Sequence, residues 1–489
     1  GNLGGGGFLV VRLANGETAA LDFREKAPLS ASRDMYLDER GRVTEAAVTG
    51  HLAVGVPGSV AGLHAAWRRY GRLPWDELVA PAIELAQQGF VVSERLHRSL
   101  KDAQPRIGRF PSTAEIFYPG GEPPQVGSVF RQPDLAETLR LIARQGPDAF
   151  YRGRIADLIV QEMRRGGGLL THTDLVLYEA KWRDPVVIDY RGFRIYAPPP
   201  PSSGGVTLAI VLNILEGYDL RSLGWHSPES VHLFVEAFRR AYADRNYYLG
   251  DPDVVEIPLE RLTSDAYAAE LRTSISRNRA SSSEDFNRVP RVTEGTHTTH
   301  LSVVDPEGNA ASLTTTINSL YGSGVVVTGA GFFLNNEMDD FAARPGAPNQ
   351  FGLVQGEANA IAPGKRMLSS MTPIVVVDPE NRLFLVAGTP GAGTIITQMA
   401  QIVTNLIDYG MDLRTAVDAP RFHHQLFPDE IQVERGGLDP VTVSALSQMG
   451  HRVAFSDGYF GDVNAVFVRP DGARVGAADP RRGGEAVGF

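Results

Sequence analysis

The most constraining stretch of this 489-residue chain runs from Glu294 to Phe341, EGTHTTHLSVVDPEGNAASLTTTINSLYGSGVVVTGAGFFLNNEMDDF. THLSVVD and AASLTTTIN alternate and are β-branched, and PEGN has turn chemistry, so the two segments predict an antiparallel hairpin. Its entrance carries His297, Thr298, Thr299 and His300. Threonine suits a pleated, half-buried surface, which is one reading of the run. The other is chemical. Were the His297–Thr298 bond cut, Thr298 would carry both a hydroxyl and a free α-amine. That amine titrates near pH 7.7–8.0, about where a general base works best, and it stands beside a hydroxyl that needs one. Spacing alone leaves both readings open.

The segment upstream tilts the balance. Residues 274–297, SISRNRASSSEDFNRVPRVTEGTH, are polar and rich in Ser and Arg, and they read as a flexible linker or processing loop ending where the threonine begins. Elsewhere composition mostly excludes. With Lys+Arg 47 against Asp+Glu 57, the net charge is −10 and no basic patch invites nucleic acid. There is no cysteine, so disulfides, thiolate nucleophiles and Cys-based zinc sites are ruled out together. No apolar run approaches the roughly 18 residues that a membrane helix needs. The opening at GNLGGGG, without a starting Met or signal peptide, predicts missing sequence upstream.

In chain order, GNLGGGG reads as a hinge into the strands FLVVRL and TAALDF, joined by the turn ANGE. No Gly-Lys-Ser/Thr follows these glycines, so they do not read as a phosphate loop. Arg24 and Glu25 then enter an irregular loop with Arg33 and Asp34, where binding residues and exposed ion pairs are both ordinary. SVAGLHAAWRRYG, a Pro-interrupted PWDELVAPAIELAQQG, DLAETLRLIARQG, IADLIVQEMRRGGG and SPESVHLFVEAFRRAYADRNYYLG predict helices. The corner APPPPSSGG should open a further helix between Ser202 and Gly205, capped by serine. IVVVD, LFLVAG, IQVE, HRVAF and NAVFVRPDGARVGA predict strands, with helices GTIITQMAQIVTNLIDYG and PVTVSALSQMG among them. At this length the expectation is one large layered α/β body or two packed lobes.

THTTHLSVVDPEGNAASLTTTINSLYGSG, GFFLNNEMDDF, KRMLSSMTP and PRFHHQ, with GNLGGGGF, FREKAPLSASRDMYLD, PPPSSGG and ADRNYYLGDPD upstream, together resemble the γ-glutamyltranspeptidases over nearly the whole chain. The resemblance implies an α/β fold, the four-layer αββα sandwich of N-terminal-nucleophile hydrolases. It implies a precursor that cleaves itself between His297 and Thr298 into a large subunit (1–297) and a small subunit (298–489), which form a heterodimer. It also implies periplasmic or secreted localisation, no cofactor, and γ-glutamyl compounds such as glutathione as substrates, with water, amino acids or dipeptides as acceptors.

By the same resemblance, Thr298 is the nucleophile and Thr316 its hydrogen-bonding partner. The substrate α-carboxylate falls to Arg24, Ser369 and Ser370, and its α-ammonium to Asn318, Glu337 and Asp340. The oxyanion hole comes from the amides of Gly391 and Ala392, where the family pattern has two glycines. Phe351 is the lid aromatic, where a tyrosine is common among bacterial relatives. His297 and His300, like His423 and His424, are spaced so that neither pair shares a strand face, and structural roles are expected over metal binding. Two rivals stay in view. One is a glutaryl-cephalosporin acylase with the same chemistry and no substrate ammonium. The other is a non-processing binder of γ-glutamyl compounds.

Overall fold

The computed structural model describes residues 3–286 and 298–488. Two antiparallel sheets form its centre. One runs Lys181–Arg183, Thr18–Phe23, Gly6–Arg12, Ala310–Thr316, Thr299–Val304. The other runs Arg474–Ala478, Asn464–Val468, Leu383–Gly388, Ile374–Val377, Phe193–Ala197, Val186–Tyr190. The expected hairpin is present, with His300 opposite Thr314 and Leu301 opposite Leu313.

Alternation distributes each strand between two interfaces. Phe8 and Val10 face the second sheet, where Val10 and Ala310 pack with Val375, Val377 and Val386. Leu9 and Val11 face outward and pack with Ala65, Ala66 and Tyr70 of the helix Ser59–Tyr70. On the far side of the second sheet lie the helices Gly204–Leu215, Pro228–Tyr248 and Thr394–Ile407. The order is therefore helix, sheet, sheet, helix, as the αββα expectation had it. All twelve residues of Gly204–Leu215 are buried, which suits a helix apolar on every side. Each Val, Leu or Ile so buried contributes about 1.5–3 kcal/mol.

Some expectations need correction. GNLGGGG is not a hinge, because from Gly6 onward it is the buried central strand of the first sheet. A Cβ at Gly5 would lie 1.9 Å from the Thr316 carbonyl oxygen, so glycine is needed for the two chain segments to touch. The helix Trp75–Gln88 runs through Pro81 without a break. It packs against Pro133–Gln145, and the proline removes only one internal N–H.

Ser203 does not cap its helix by its side chain. Its hydroxyl instead donates to the Ser369 carbonyl at 2.6 Å. The linker expected over 274–297 is held down along its described part. The Ser276 and Ser274 carbonyls accept from His232 and Arg240, and Ser281 donates twice to Glu236. Residues 287–297, including His297, lie outside the described residues. Among the described residues no helix is long and apolar enough to cross a membrane.

Candidate active site

Register brings the hairpin threonines together. His300 pairs with Thr314, so two residues back Thr298 lies on the same face, toward Thr316. The Thr298 Oγ1 is 3.5 Å from the Thr316 Oγ1, a long contact, and the Thr316 hydroxyl also accepts the Asn318 N–H at 2.8 Å. Thr316 and Asn318 are buried and Thr298 is half-buried. Asn318 takes a left-handed φ of 71° and donates its side-chain amide to the Asn336 carbonyl at 3.0 Å.

One cavity collects nearly every expected site residue. Thr298, Thr316, Asn318, Arg24, Glu337, Asp340, Ser369, Ser370, Phe351 and Ala392 all line it. Gly391 stands next to Ala392 at its edge. Those two residues have φ of 141° and 48°, and no hydrogen bond among the described residues uses either N–H. Two adjacent free amides suit an oxyanion hole. Ala392 holds an L side chain in the left-handed region, where glycine would be unstrained.

Arg24 is the electrostatic centre. Its guanidinium lies 2.6 Å from Glu337 and 3.3 Å from Glu25, and it also pairs with Asp340. Its remaining donors reach the carbonyls of Met367 and Leu368. Burial alone would lower its pKa, but the three carboxylates outweigh that and keep it protonated. For the acids burial dominates. It pushes Glu25 up to about 7 despite Arg24, and pushes Glu337 well above the carboxylate range. Glu25 Oε1 and Glu337 Oε1 are both buried without a partner. Glu337 also lines the cavity, which makes it a candidate acceptor there.

The histidines are structural. His300 bonds Thr314 and Ser302, and His423 bonds Thr397 and Gln425. His424 lies 3.3 Å from Asp429. Burial lowers His300 and His423 to about 3 and His424 to about 4, so all three are neutral. His232, Glu236 and His451 cluster closely enough to suggest a metal. Glu236, however, is already spent on Arg239, Arg240 and Ser281, and the two imidazoles hydrogen-bond each other at 2.7 Å. A cation would have to displace both. Arg33 forms only an exposed ion pair with Glu357.

Sequence reasoning missed Arg245 and Gln355, which also line the cavity. Arg245 lies in the motif ADRNYYLGDPD, to which no site role was given, on a helix that also buries Glu236, Arg239, Arg240 and Asp244. On the far side of Phe351 lies a wider groove whose walls include Arg95, Arg106 and Arg482.

The family model for gamma-glutamyltranspeptidase matches residues 1–489. The glutathione hydrolase proenzyme of Escherichia coli K12 is 46% identical over 484 residues, covering 98% of this chain and 83% of its own length. The acylase ACY 1 proenzyme of Pseudomonas sp. V22 is 40% identical, covering 99% of this chain and 85% of its own. Among solved structures, the cephalosporin acylase of Bacillus halodurans superposes with a TM-score of 0.85 at 29% identity, covering 98% of this chain and 86% of that one.

Proposed function

The chain belongs to the gamma-glutamyltranspeptidase family, and from that premise we propose that it is a glutathione hydrolase and γ-glutamyltransferase that cuts itself ahead of Thr298. In the cut, the Thr298 hydroxyl attacks the His297 carbonyl carbon. The amide becomes an ester, and water then releases a 1–297 subunit from a 298–489 subunit. The freed α-amine next takes the proton from the Thr298 hydroxyl as that oxygen attacks a γ-glutamyl carbonyl. The Gly391 and Ala392 amides hold the oxyanion, each such donor being worth about 2.7–4 kcal/mol. The amine passes its proton to the departing nitrogen, and water or an amine acceptor resolves the glutamyl ester. The groove beyond Phe351 is where the leaving dipeptide and the acceptor would lie. The family resemblance supports a periplasmic or secreted location.

The observation that carries the substrate assignment is the partnerless Glu337 Oε1 in the cavity wall. A glutamyl donor brings an ammonium to it, and a glutaryl donor brings nothing. Because acylases stand among the relatives, the test compares γ-glutamyl anilide with glutaryl anilide. The glutamyl compound should be cleaved at least about 100-fold more efficiently, as expected when a buried charged group loses its partner. Faster cleavage of the glutaryl compound would reassign the enzyme as an acylase. A second expectation concerns Glu337→Gln, which should narrow that preference by about tenfold or more while leaving glutaryl cleavage in place.

The same acids set a pH dependence. Burial pushes Glu25 up to about 7 and Glu337 well above the carboxylate range, so both resist ionisation. A carboxylate with a raised pKa is protonated below that value, so its attraction for ammonium is lost as pH falls. The donor KM should therefore rise on acidification from about pH 9 to 6, by up to about tenfold per unit. A KM flat across that range, measured on processed enzyme, contradicts the assignment.

A further inference from the structure

We propose that residues 274–286 are an inter-subunit clasp. After the cut ahead of Thr298, this tail of the large subunit stays docked in a charged cluster whose small-subunit wall is Asp429, Met449 and His451. The inference rests on the self-cleavage reading above and concerns what holds the tail once it is free at one end.

The floor of the cluster is the helix Pro228–Tyr248. Residues three and four apart share a helix face, so His232, Glu236, Arg239 and Arg240 project together, and all four are buried. Glu236 lies 2.6 Å from Arg240 and 3.4 Å from Arg239. Burial works against its charge, but Arg239, Arg240 and the Ser281 hydroxyl outweigh that and hold it at about 2. Opposite the helix, Asp429 pairs with Arg239 and lies 3.3 Å from His424. Two arginines thus face two acids.

The tail completes the hydrogen bonding of these charges. Ser281 donates its N–H and its hydroxyl to Glu236 at 3.0 and 2.6 Å. Ser274 offers Arg240 its carbonyl and hydroxyl oxygens, each at 2.8 Å. The Ser283 N–H goes to Asp429 at 2.8 Å, and its hydroxyl oxygen accepts from Arg239. The Ser276 carbonyl takes the His232 Nε2 proton at 2.7 Å, so His232 Nδ1 accepts from His451. The Ala280 N–H reaches the Met449 carbonyl at 2.7 Å. The tail therefore lies between a large-subunit helix and small-subunit residues, and it bonds both.

None of these bonds spans the His297–Thr298 link, so hydrolysing that link removes none of them. Freed chain ends ordinarily fray. This one is held because undocking would strip Glu236 of two donors and Arg240 of two acceptors where charges are costly to leave unpaired. The clasp also backs the active site. Gln425, next to His424, donates to the Phe351 carbonyl at 3.4 Å, and Tyr242, three residues after Arg239, donates to the Gly393 carbonyl.

Hydrogen exchange read by mass spectrometry tests this on cut wild-type enzyme and on the uncut Thr298→Ala chain. The peptide 274–286 should exchange equally slowly in both. Exchange about 100-fold faster in the cut enzyme would mean that the tail undocks, and would overturn the proposal. In cut Asp429→Asn, which loses the charge facing Ser283 and Arg239, exchange of the peptide should rise about tenfold. An unchanged rate there would show that Asp429 does not receive the tail. If that variant does not fold, Ser281→Ala, which deletes one donor to Glu236, should raise exchange in the same way, and no rise would likewise refute the clasp. A wild-type chain that stays whole by intact mass removes the self-cleavage reading and the clasp with it, whereas fast exchange in cut enzyme sinks the clasp alone.

Discussion

Thr298→Ala should remain a single chain on a denaturing gel and release no product from glutathione, with turnover down by about 10⁴-fold or more, as when other nucleophiles are removed. The size of the effect comes from two losses at one position. Without the hydroxyl, nothing attacks the His297 carbonyl, so no amine is unmasked. Even if the chain were supplied as two pieces, the amine would have no hydroxyl to deprotonate. Thr298→Ser separates these, because it keeps the hydroxyl and should still divide, more slowly. Thr316→Val should do less damage. The Thr316 hydroxyl touches Thr298 only at 3.5 Å and spends itself on the Asn318 N–H, so it positions more than it reacts. Intact mass after incubation reads the cut, and glutamate release reads the chemistry. Undiminished glutathione turnover in Thr298→Ala would refute the nucleophile assignment outright.

Arg24→Ala should be the most destabilising change at the site, costing about 3–5 kcal/mol of folding free energy in addition to donor binding. The reason is what it leaves behind. Glu25, Glu337 and Asp340 would sit together in a closed cavity with their shared counterion gone. They escape by holding protons, and this makes the loss depend on pH. Glu25 and Glu337 already have raised pKa values in the folded chain, and losing Arg24 raises them further. A raised acid binds its proton more tightly folded than unfolded, so stability falls as pH climbs toward the folded pKa. Urea unfolding should therefore show a larger deficit at about pH 8 than at pH 5. A deficit equal at both pH values would mean that the acids were not the cause. Arg24→Lys should recover part of the stability but little of the binding, since a point charge cannot bridge three carboxylates as a planar fork does.

Much of this was legible in the residues. The hairpin, its turn and its threonine entrance follow from period and β-branching, and the structure pairs the two strands antiparallel as expected. The site residues carried over from the motifs converge on one cavity although they come from distant parts of the chain. Where local reading failed, a distant partner had reassigned the residue. The glycine run looked like a hinge because glycine is flexible in isolation. It is a core strand because the Thr316 carbonyl comes too close for any side chain. Ser203 looked like a helix cap because serines before helices usually are, but it serves Ser369 and Arg245 instead.

By itself, then, the order of residues pointed to the strands and helices through local periodicity, while the αββα class and Thr298 as the candidate nucleophile came from motifs contiguous in the chain that resemble the family. Only the tertiary structure decided the electrostatics. That Arg24 is paired with Glu337 and Asp340 while Arg245 bonds Ser203 and Ser370 depends on contacts between residues far apart in the chain. Charges in a buried cavity are governed by what lies within a few ångströms of them, and chain order does not record that distance.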